Sequence, residues 1–139
     1  MTREEILEFV RRNTTSAMAT VEDGSPRVRH MDTPLVDVNG LTFLTGANKS
    51  VSRQLTENPE VELCYWSGDE KMQLRIRGRM ERLEDETVKR DIVENRFVFL
   101  RPVAEKYGWG AFSVFRLRSG EARVWRADDP AGPDETFAF

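Results

Sequence analysis

Apolar and polar residues alternate along much of this chain, in short segments separated by turn residues. From Met72 to Met80, apolar residues or glycine take every second position, and three arginines fall between them. A period of two predicts a strand, here over Met72–Leu83, with one core face and one polar face. Similar apolar or alternating segments bring the predicted strands to six or seven. These other segments are Ala17–Val21, Arg27–Val38, Leu41–Thr45, Val61–Trp66, Ala111–Arg118 and Glu121–Arg126.

Turn residues join most of these segments as hairpins. Asp23-Gly24, Asn39-Gly40 and Ser119-Gly120 are dipeptides that favour tight turns between antiparallel strands. A helix predicted after the third strand interrupts this order. Consecutive hairpins predict a mainly β domain, a small antiparallel barrel, rather than an alternating α/β sheet.

Four segments are predicted to be helical. The first, residues 2–13, begins with a capping box of Thr2 and Glu5 and carries an apolar stripe. The second runs from Lys49 to Glu57 and ends before Pro59, because proline disfavours helix at the preceding residue. The remaining two are Asp85–Asn95 and Pro102–Tyr107.

One domain is predicted over residues 1–127, since the chain shows neither an internal repeat nor a second block of elements. Residues 128–139 form an acidic C-terminal tail that contains two prolines and a glycine. This composition favours mobility, whereas Phe137 and Phe139 are apolar enough to dock on the barrel or on a partner. The pattern leaves both alternatives open.

Charge and cysteine content exclude several classes of function. The formal charge of −3 and the isoelectric point near 5.3 argue against binding to nucleic acid or to an anionic membrane. Cys64 is the only cysteine and His30 the only histidine, so neither an intrachain disulfide nor a His/Cys zinc site is expected. No apolar run reaches the roughly 20 residues of a membrane helix, and the N-terminus lacks the apolar centre of a secretion signal. We expect a cytoplasmic protein without a metal site.

The segment Leu41–Thr56 carries the clearest sign of chemistry. An apolar strand ends there in a polar turn, and a helix begins at Lys49 and Ser50. The first N–H groups of a helix have no intrahelical acceptor, so with an ammonium and a hydroxyl beside them they favour a phosphate group. The alternative is that Lys49 and Arg29 are solvated surface charges.

Three stretches of the sequence resemble one known family. They are GSPRVRHM (24–31), LTFLTGANKSVSRQLTENPEVELCYW (41–66) and MQLRIRGRMERLED (72–85). In order and spacing they are similar to the pyridoxamine 5′-phosphate oxidase-like FMN-binding split barrels, and above all to the short general-stress-protein branch. The resemblance covers about residues 16–126 and implies a six- to seven-stranded antiparallel split β-barrel that binds FMN. It also implies a homodimer with two equivalent cofactor sites at the subunit interface.

The resemblance assigns several residues to the cofactor. Arg29, Lys49 and Ser50 would hold the FMN phosphate, for which a guanidinium, an ammonium and a hydroxyl are suitable partners. Trp125, contributed by a second subunit, would stack on the flavin or form a wall of its pocket. The alternative is a residue of the core or of an interface, where aromatic residues are also common. The other two tryptophans have the same alternatives.

The resemblance also implies contacts to the flavin ring. His30 and Met31 would lie along the isoalloxazine or ribityl edge, with Leu44 and Thr45 bordering the same pocket. Gln73 would face the ring through an amide that both donates and accepts, unless it faces solvent. His30 is either a proton carrier near neutral pH or a polar residue on a half-exposed strand. No residue is singled out as catalytic.

The function implied by the resemblance is that of an FMN-binding oxidoreductase that passes electrons from a reduced nicotinamide to a small acceptor. Two alternatives stay open: a non-catalytic stress or sensor module that binds flavin or haem, and a deazaflavin-dependent reductase on the same barrel. Vitamin-B6 oxidation itself is not expected. The oxidases of this family carry a lysine five residues beyond the matched arginine, where this chain has Pro34, and this chain ends soon after Trp125.

Overall fold

Ten β-strands and four α-helices make up the computed structural model, which describes residues 1–139. The strands are β1 Thr15–Glu22, β2 Ser25–Asp32, β3 Leu35–Asp37, β4 Gly40–Gly46, β5 Glu60–Ser67, β6 Met72–Arg79, β7 Glu81–Leu83, β8 Phe112–Leu117, β9 Gly120–Arg126 and β10 Glu135–Ala138. The helices are α1 Arg3–Arg12, α2 Ser50–Glu57, α3 Glu86–Asn95 and α4 Arg101–Tyr107. Two short 3-10 turns, Val98–Leu100 and Trp109–Ala111, flank α4. None of the helices has both the length and the apolar character that a membrane crossing requires.

The strands form two antiparallel sheets. One has six strands in the order β10-β9-β6-β5-β1-β2, and the other has four in the order β3-β4-β8-β7. Their inner faces enclose one large apolar cluster, in which Phe9 of α1, Phe43 of β4 and Leu63 of β5 are fully buried. The predicted fold class, a mainly β antiparallel split barrel, is confirmed, with ten strands instead of six or seven.

The chain crosses from the first sheet to the second at Thr33 and Pro34, where the alternation predicts one strand over Arg27–Val38. The structure divides this segment into β2 and β3, so the continuous strand is wrong. Proline has no N–H for a ladder hydrogen bond, and the buried Thr33 hydroxyl shares a 2.8 Å hydrogen bond with the hydroxyl of Tyr65. Because this hydrogen bond holds Thr33 in the interior, β2 ends before it, and β3 begins in the other sheet.

A second crossing divides the predicted strand Met72–Leu83 at Met80. The Met80 N–H donates to the carbonyl of Pro59 at 2.8 Å, and the Met80 side chain is buried. β7 then pairs with β8 in the four-stranded sheet. The predicted core face is confirmed on β6, where Leu74 and Ile76 are fully buried.

Local signals set the hairpins and the helix starts as predicted. Asp23 and Gly24 have φ angles of 51° and 76°, the left-handed values of a two-residue hairpin turn, and they join β1 to β2. At α1 the Thr2 hydroxyl accepts from the Glu5 N–H while the Glu5 carboxylate accepts from the Thr2 N–H, which confirms the capping box. α2 begins immediately after Lys49, which is its N-cap residue.

The last residues join the barrel. β10 pairs with β9, and Phe139 exchanges two backbone hydrogen bonds with Gly120, of 2.9 and 2.8 Å. Phe139 is 6% exposed, and the guanidinium of Arg3 lies 4.4 Å from the centre of its ring. Of the two alternatives for this segment, docking on the barrel of the same chain is the one observed.

The docking of the last residues can be tested by removing the buried ring of Phe139, which directly follows β10. We expect Phe139→Ala to lower the free energy of unfolding by about 3 kcal/mol, the usual cost of deleting a buried phenylalanine side chain. Urea denaturation followed by circular dichroism measures the change. Thr136→Ala, at an exposed position of β10, is the control and should change stability by no more than about 0.5 kcal/mol. Equal stabilities for the two variants would contradict the docking.

Candidate functional site

A cleft of about 870 Å³ lies where β4 ends and α2 begins. One of its walls is formed by Leu44–Gly46 of β4 and by the loop Ala47–Lys49. The opposite wall consists of side chains around α4, namely Phe97, Phe99, Leu100, Val103 and Tyr107. Lys49 has the only charged side chain in the lining. A mostly apolar cleft of this size with a few polar groups is typical of a small-molecule site.

The start of α2 is electropositive and has no capping group. Lys49 is the N-cap, its side chain makes no capping hydrogen bond, and no acidic residue lies in the first turn. The N–H groups of Ser50 and Val51 make no backbone hydrogen bond, while that of Ser52 donates to the Lys49 carbonyl at 3.1 Å. The helix dipole adds a partial positive charge at this end. Ser50, the first helical residue, is exposed at this end. A phosphate group is a ligand that suits such a helix start.

Two buried contacts fix α2 against both sheets. The Ser52 hydroxyl donates to Ser113 Oγ of β8 at 2.8 Å. On the other side, Gln54 accepts a 2.6 Å hydrogen bond from the hydroxyl of Thr20 on β1. Because Ser52 and Gln54 are almost fully buried, these contacts hold the helix start at a fixed place beside the end of β4.

Arg29 of β2 lies half-buried against α2. Its guanidinium donates to Thr20 Oγ1 at 2.6 Å and to Gln54 Oε1, and none of its hydrogen bonds goes to a carboxylate. Burial lowers the pKa of Arg29, and the Glu22 carboxylate opposes this shift. The group stays charged, since a guanidinium does not deprotonate in proteins. A half-buried cation without a carboxylate partner suits an anionic ligand.

Five of the residues singled out in the sequence lie around α2. Leu44, Thr45 and Lys49 line the cleft, and Ser50 follows Lys49 in the chain. Arg29 is bonded to the same helix about one turn further along. The structure therefore groups the positive charges predicted for a phosphate around one helix, next to an apolar cleft.

The other predicted residues lie elsewhere in the same chain. Met31 packs its side chain on the main core. His30 and Gln73 alternate with more buried neighbours and point to the outer face of the six-stranded sheet. Trp125 is the cross-strand partner of Gln73 and lies on the same face. Gln73 lies between Trp66 and Trp125 in cross-strand pairs, and the two indole rings are 6.5 Å apart. One chain therefore does not bring all nine predicted residues into one pocket.

The outer face of the six-stranded sheet combines small apolar side chains with paired charges. Ala17 and Ala19 of β1 lie beside β2, where Val28 is 71% exposed. Arg75 of β6 lies 3.5 Å from Asp134 and is thus paired within its own chain. Ala17, Ala19 and Val28 thus form an apolar group on the β1–β2 side of this face, while Arg75 and Arg123 lie on its β6–β9 side.

Sequence reasoning missed the residues that hold Arg29 and the second wall of the cleft. Gln54 comes four residues after Ser50, so both lie on one face of α2, and this spacing is the signal that could have identified it. Thr20 is a buried polar residue inside an apolar strand. The wall from Phe97 to Tyr107 carries no periodic pattern, because it belongs to a short 3-10 turn and a short helix.

Curated proteins similar to this chain include pyridoxine/pyridoxamine 5′-phosphate oxidases. The one from Microcystis aeruginosa is 27% identical over 104 residues, which cover 74% of this chain and 46% of that protein. The chain spans about half the length of this relative, and a similar relative from Actinobacillus pleuropneumoniae is covered to 50%.

Three solved structures with the same fold carry different descriptions. A protein related to general stress protein 26 from Clostridium acetobutylicum has a TM-score of 0.72 at 18% identity, covering 99% of this chain and 97% of that one. A pyridoxamine 5′-phosphate oxidase-related, FMN binding protein from Nostoc punctiforme has a TM-score of 0.67 at 17% identity, with coverages of 99% and 96%. A heme binding protein from Mycobacterium smegmatis has a TM-score of 0.68 at 17% identity, with coverages of 97% and 57%. At these identities the similarity establishes the fold.

A family-level match covers nearly the whole chain. The sequence profile described as pyridoxamine 5′-phosphate oxidase matches residues 2–126. This range contains the three stretches on which the resemblance was based, and the resemblance is confirmed. The chain therefore belongs to the pyridoxamine 5′-phosphate oxidase family.

Proposed function

We propose that this protein binds FMN at the start of α2 and works as a homodimeric oxidoreductase, passing electrons from a reduced nicotinamide to a small acceptor. The observation that carries the proposal is the set of positive groups around α2: Lys49, the uncapped amides at Ser50 and the half-buried Arg29. These groups lie beside an apolar cleft of about 870 Å³. A phosphate group attached to a flat aromatic ring matches both features.

The phosphate would be held by three kinds of donor. Arg29 supplies a planar fork, Lys49 a mobile charge, and Ser50 a hydroxyl next to free backbone amides. Three hydrogen bonds within the protein use three of the five N–H donors of Arg29, which leaves two for phosphate oxygens. Each charge-assisted hydrogen bond contributes about 1.5–3 kcal/mol to binding.

The flavin ring would lie against the end of β4. Leu44 and Thr45 border the cleft there, and Phe97, Leu100 and Val103 line its other side. Such an apolar lining favours a flat aromatic ring over water. FMN, when bound, supplies the redox chemistry. The residues of this cleft orient the ring and keep water away from it.

A second copy of the chain would complete the pocket. His30, Gln73 and Trp125 lie on the outer face of their own sheet, so we assign them to the flavin held by a partner copy. The Gln73 amide suits the mixed nitrogen and oxygen edge of the ring, and an indole suits its face. The apolar part of the outer face, where Val28 is 71% exposed, suits burial against the same face of a second copy.

A haem- or flavin-binding module without turnover is the second candidate. It is favoured by the shared fold of the heme binding protein from Mycobacterium smegmatis. Imidazole and thiolate are two of the usual haem ligands. His30 and Cys64, the only groups of these types, lie outside the cleft lining. Tyr107 is the one side chain of the lining of a type that ligates haem iron, as a tyrosine does in catalase. The cleft therefore favours FMN over a haem held by histidine or cysteine.

Removing the positive groups tests the phosphate site. We expect Arg29→Ala combined with Lys49→Ala to raise the Kd for FMN by about 100-fold or more, because two charge-assisted hydrogen bonds are lost. The Kd for riboflavin, which lacks the phosphate, should change by less than about threefold. Fluorescence titration of the ligand-free protein with each flavin measures both values.

Arg27→Ala is the matched control for this experiment. Arg27 is an exposed arginine on the same strand, and its guanidinium is bonded only to the carbonyl of Pro26. Both Kd values should stay at the wild-type level in this variant. An equal rise in the Kd for FMN and for riboflavin in the double variant would mean that the phosphate binds elsewhere. A wild-type protein that does not bind added FMN would contradict the proposed cofactor.

A charge on the outer face tests the contribution of the second copy. We expect Val28→Glu to give a monomer with weakened FMN binding, because a carboxylate is costly to bury against apolar side chains. Sedimentation velocity gives the mass, and fluorescence titration gives the affinity. Val38→Glu is the control, since Val38 is 76% exposed but lies in the turn after β3. A Val28→Glu monomer that binds FMN at wild-type strength would show that the partner adds nothing to the site.

Reduction of the bound flavin separates an enzyme from a binding module. We expect NADH or NADPH, mixed with the FMN-loaded protein in the absence of oxygen, to bleach the visible flavin absorbance in a stopped-flow measurement. Dithionite serves as the positive control for a reducible flavin. A flavin that dithionite bleaches and both nucleotides leave unchanged would favour the binding module.

A further inference from the structure

Gln54 lies at the centre of a buried polar network under α2. The residue is only 2% exposed. Its Oε1 accepts hydrogen bonds from the Thr20 hydroxyl and from the Arg29 guanidinium, and its Nε2 donates to the Glu22 carboxylate. The Thr20 hydroxyl also accepts from Arg29, at 2.6 Å. No buried side-chain polar atom in the chain lacks a hydrogen-bond partner, so the buried atoms of this network are all paired.

In this network Gln54 is hydrogen-bonded to both Arg29 and Glu22, and the two charged groups make no direct ion pair. Arg29 donates only to neutral oxygens, while Glu22 accepts from the Gln54 amide and pairs with the exposed Arg53 at 3.2 Å. The hydrogen bond from Gln54 is the main cause that holds the pKa of Glu22 below its ordinary value. Gln54 thus stabilises both charged groups and keeps one amide between them.

A direct ion pair is the more common environment of an arginine in this chain. Arg75, Arg77 and Arg79 each have a carboxylate within 4.0 Å. Such a pair at Arg29 would cancel the charge that an incoming anion needs, because the carboxylate and the anion would compete for the same guanidinium. A neutral acceptor leaves this charge available.

We infer that Gln54 is a positioning residue of the anion site: its neutral amide holds the Arg29 guanidinium in place and separates it from Glu22, so that the charge of Arg29 stays available to the phosphate. The inference rests on the proposed function, since it takes the ligand to be FMN. Gln54 acts through Arg29 and needs no contact with the flavin. The neutrality of the side chain matters as well as its shape, because a glutamate of the same shape would pair with Arg29 directly.

Exchanging two side chains tests neutrality separately from shape. The variant that combines Glu22→Gln with Gln54→Glu keeps the net charge and the side-chain sizes, but it moves the carboxylate from position 22 into contact with Arg29. We expect the Kd for FMN to rise by about tenfold or more, and the Kd for riboflavin to change by less than about twofold. Glu22→Gln alone keeps the Gln54 amide and should bind both flavins at wild-type strength.

The outcomes separate this inference from the proposed function. Wild-type FMN affinity in a folded exchange variant, alongside weakened FMN binding by Arg29→Ala, would leave the FMN site in place and overturn the role of Gln54. Equal weakening for FMN and riboflavin would also overturn it, because only a general defect of the pocket would remain. A wild-type protein that binds neither flavin would overturn the proposed function itself.

A second variant keeps the test informative if the exchange variant does not fold, which thermal unfolding would reveal. Gln54→Glu alone places the same carboxylate on Arg29 and should show the same split, with FMN weakened and riboflavin retained. Equal affinities of Gln54→Glu and wild type for FMN would overturn the inference.

Discussion

Holding a guanidinium half-buried without a carboxylate beside it is the constraint on which the arrangement around α2 depends. Moving a cation out of water costs free energy. Arg29 offsets this cost with neutral oxygens alone, from Met18, Thr20 and Gln54. These acceptors come from both β1 and α2, so the helix and the sheet have to meet at one distance for the network to close. The place of the helix start, and with it that of Lys49, follows from this contact.

The two crossings between the sheets produce the sheet at whose end the cleft lies. Because β3 and β7 leave the first sheet, β4 and β8 become the central strands of a separate four-stranded sheet. α3 packs on these strands through a small apolar cluster, which consists of Leu44, Ile92, Val93, Phe112 and Val114. The cleft opens at the edge of this cluster, so its apolar lining is independent of the main core. A ligand can therefore be accommodated there without a cavity in the core of the barrel.

Turns and helix starts could be predicted from the sequence, because neighbouring residues determine them. The points where a strand ends in one sheet and the next begins in the other could not. The hairpin turn at Asp23 and the helix start at Lys49 follow from neighbouring residues alone. The break at Thr33 depends on Tyr65, which lies on another strand and is brought close only by the fold. In the site, the positive charges were visible as residue types, whereas Gln54 gains a role only once β1 and β2 are beside it. The assignment of single residues to the flavin stays a prediction.

The contacts that fix α2 join parts of the chain that are far apart in the sequence. Ser52 and Ser113 are separated by 61 residues, and Thr20 and Gln54 by 34. Pairings of such long separation form slowly, because a long loop has to close before they stabilise anything. The contacts that hold the start of α2 against the two sheets therefore form late in folding. A chain that has emerged from the ribosome only as far as α3 already contains Arg29 and Lys49, but it still lacks β8, whose Ser113 anchors α2 through Ser52.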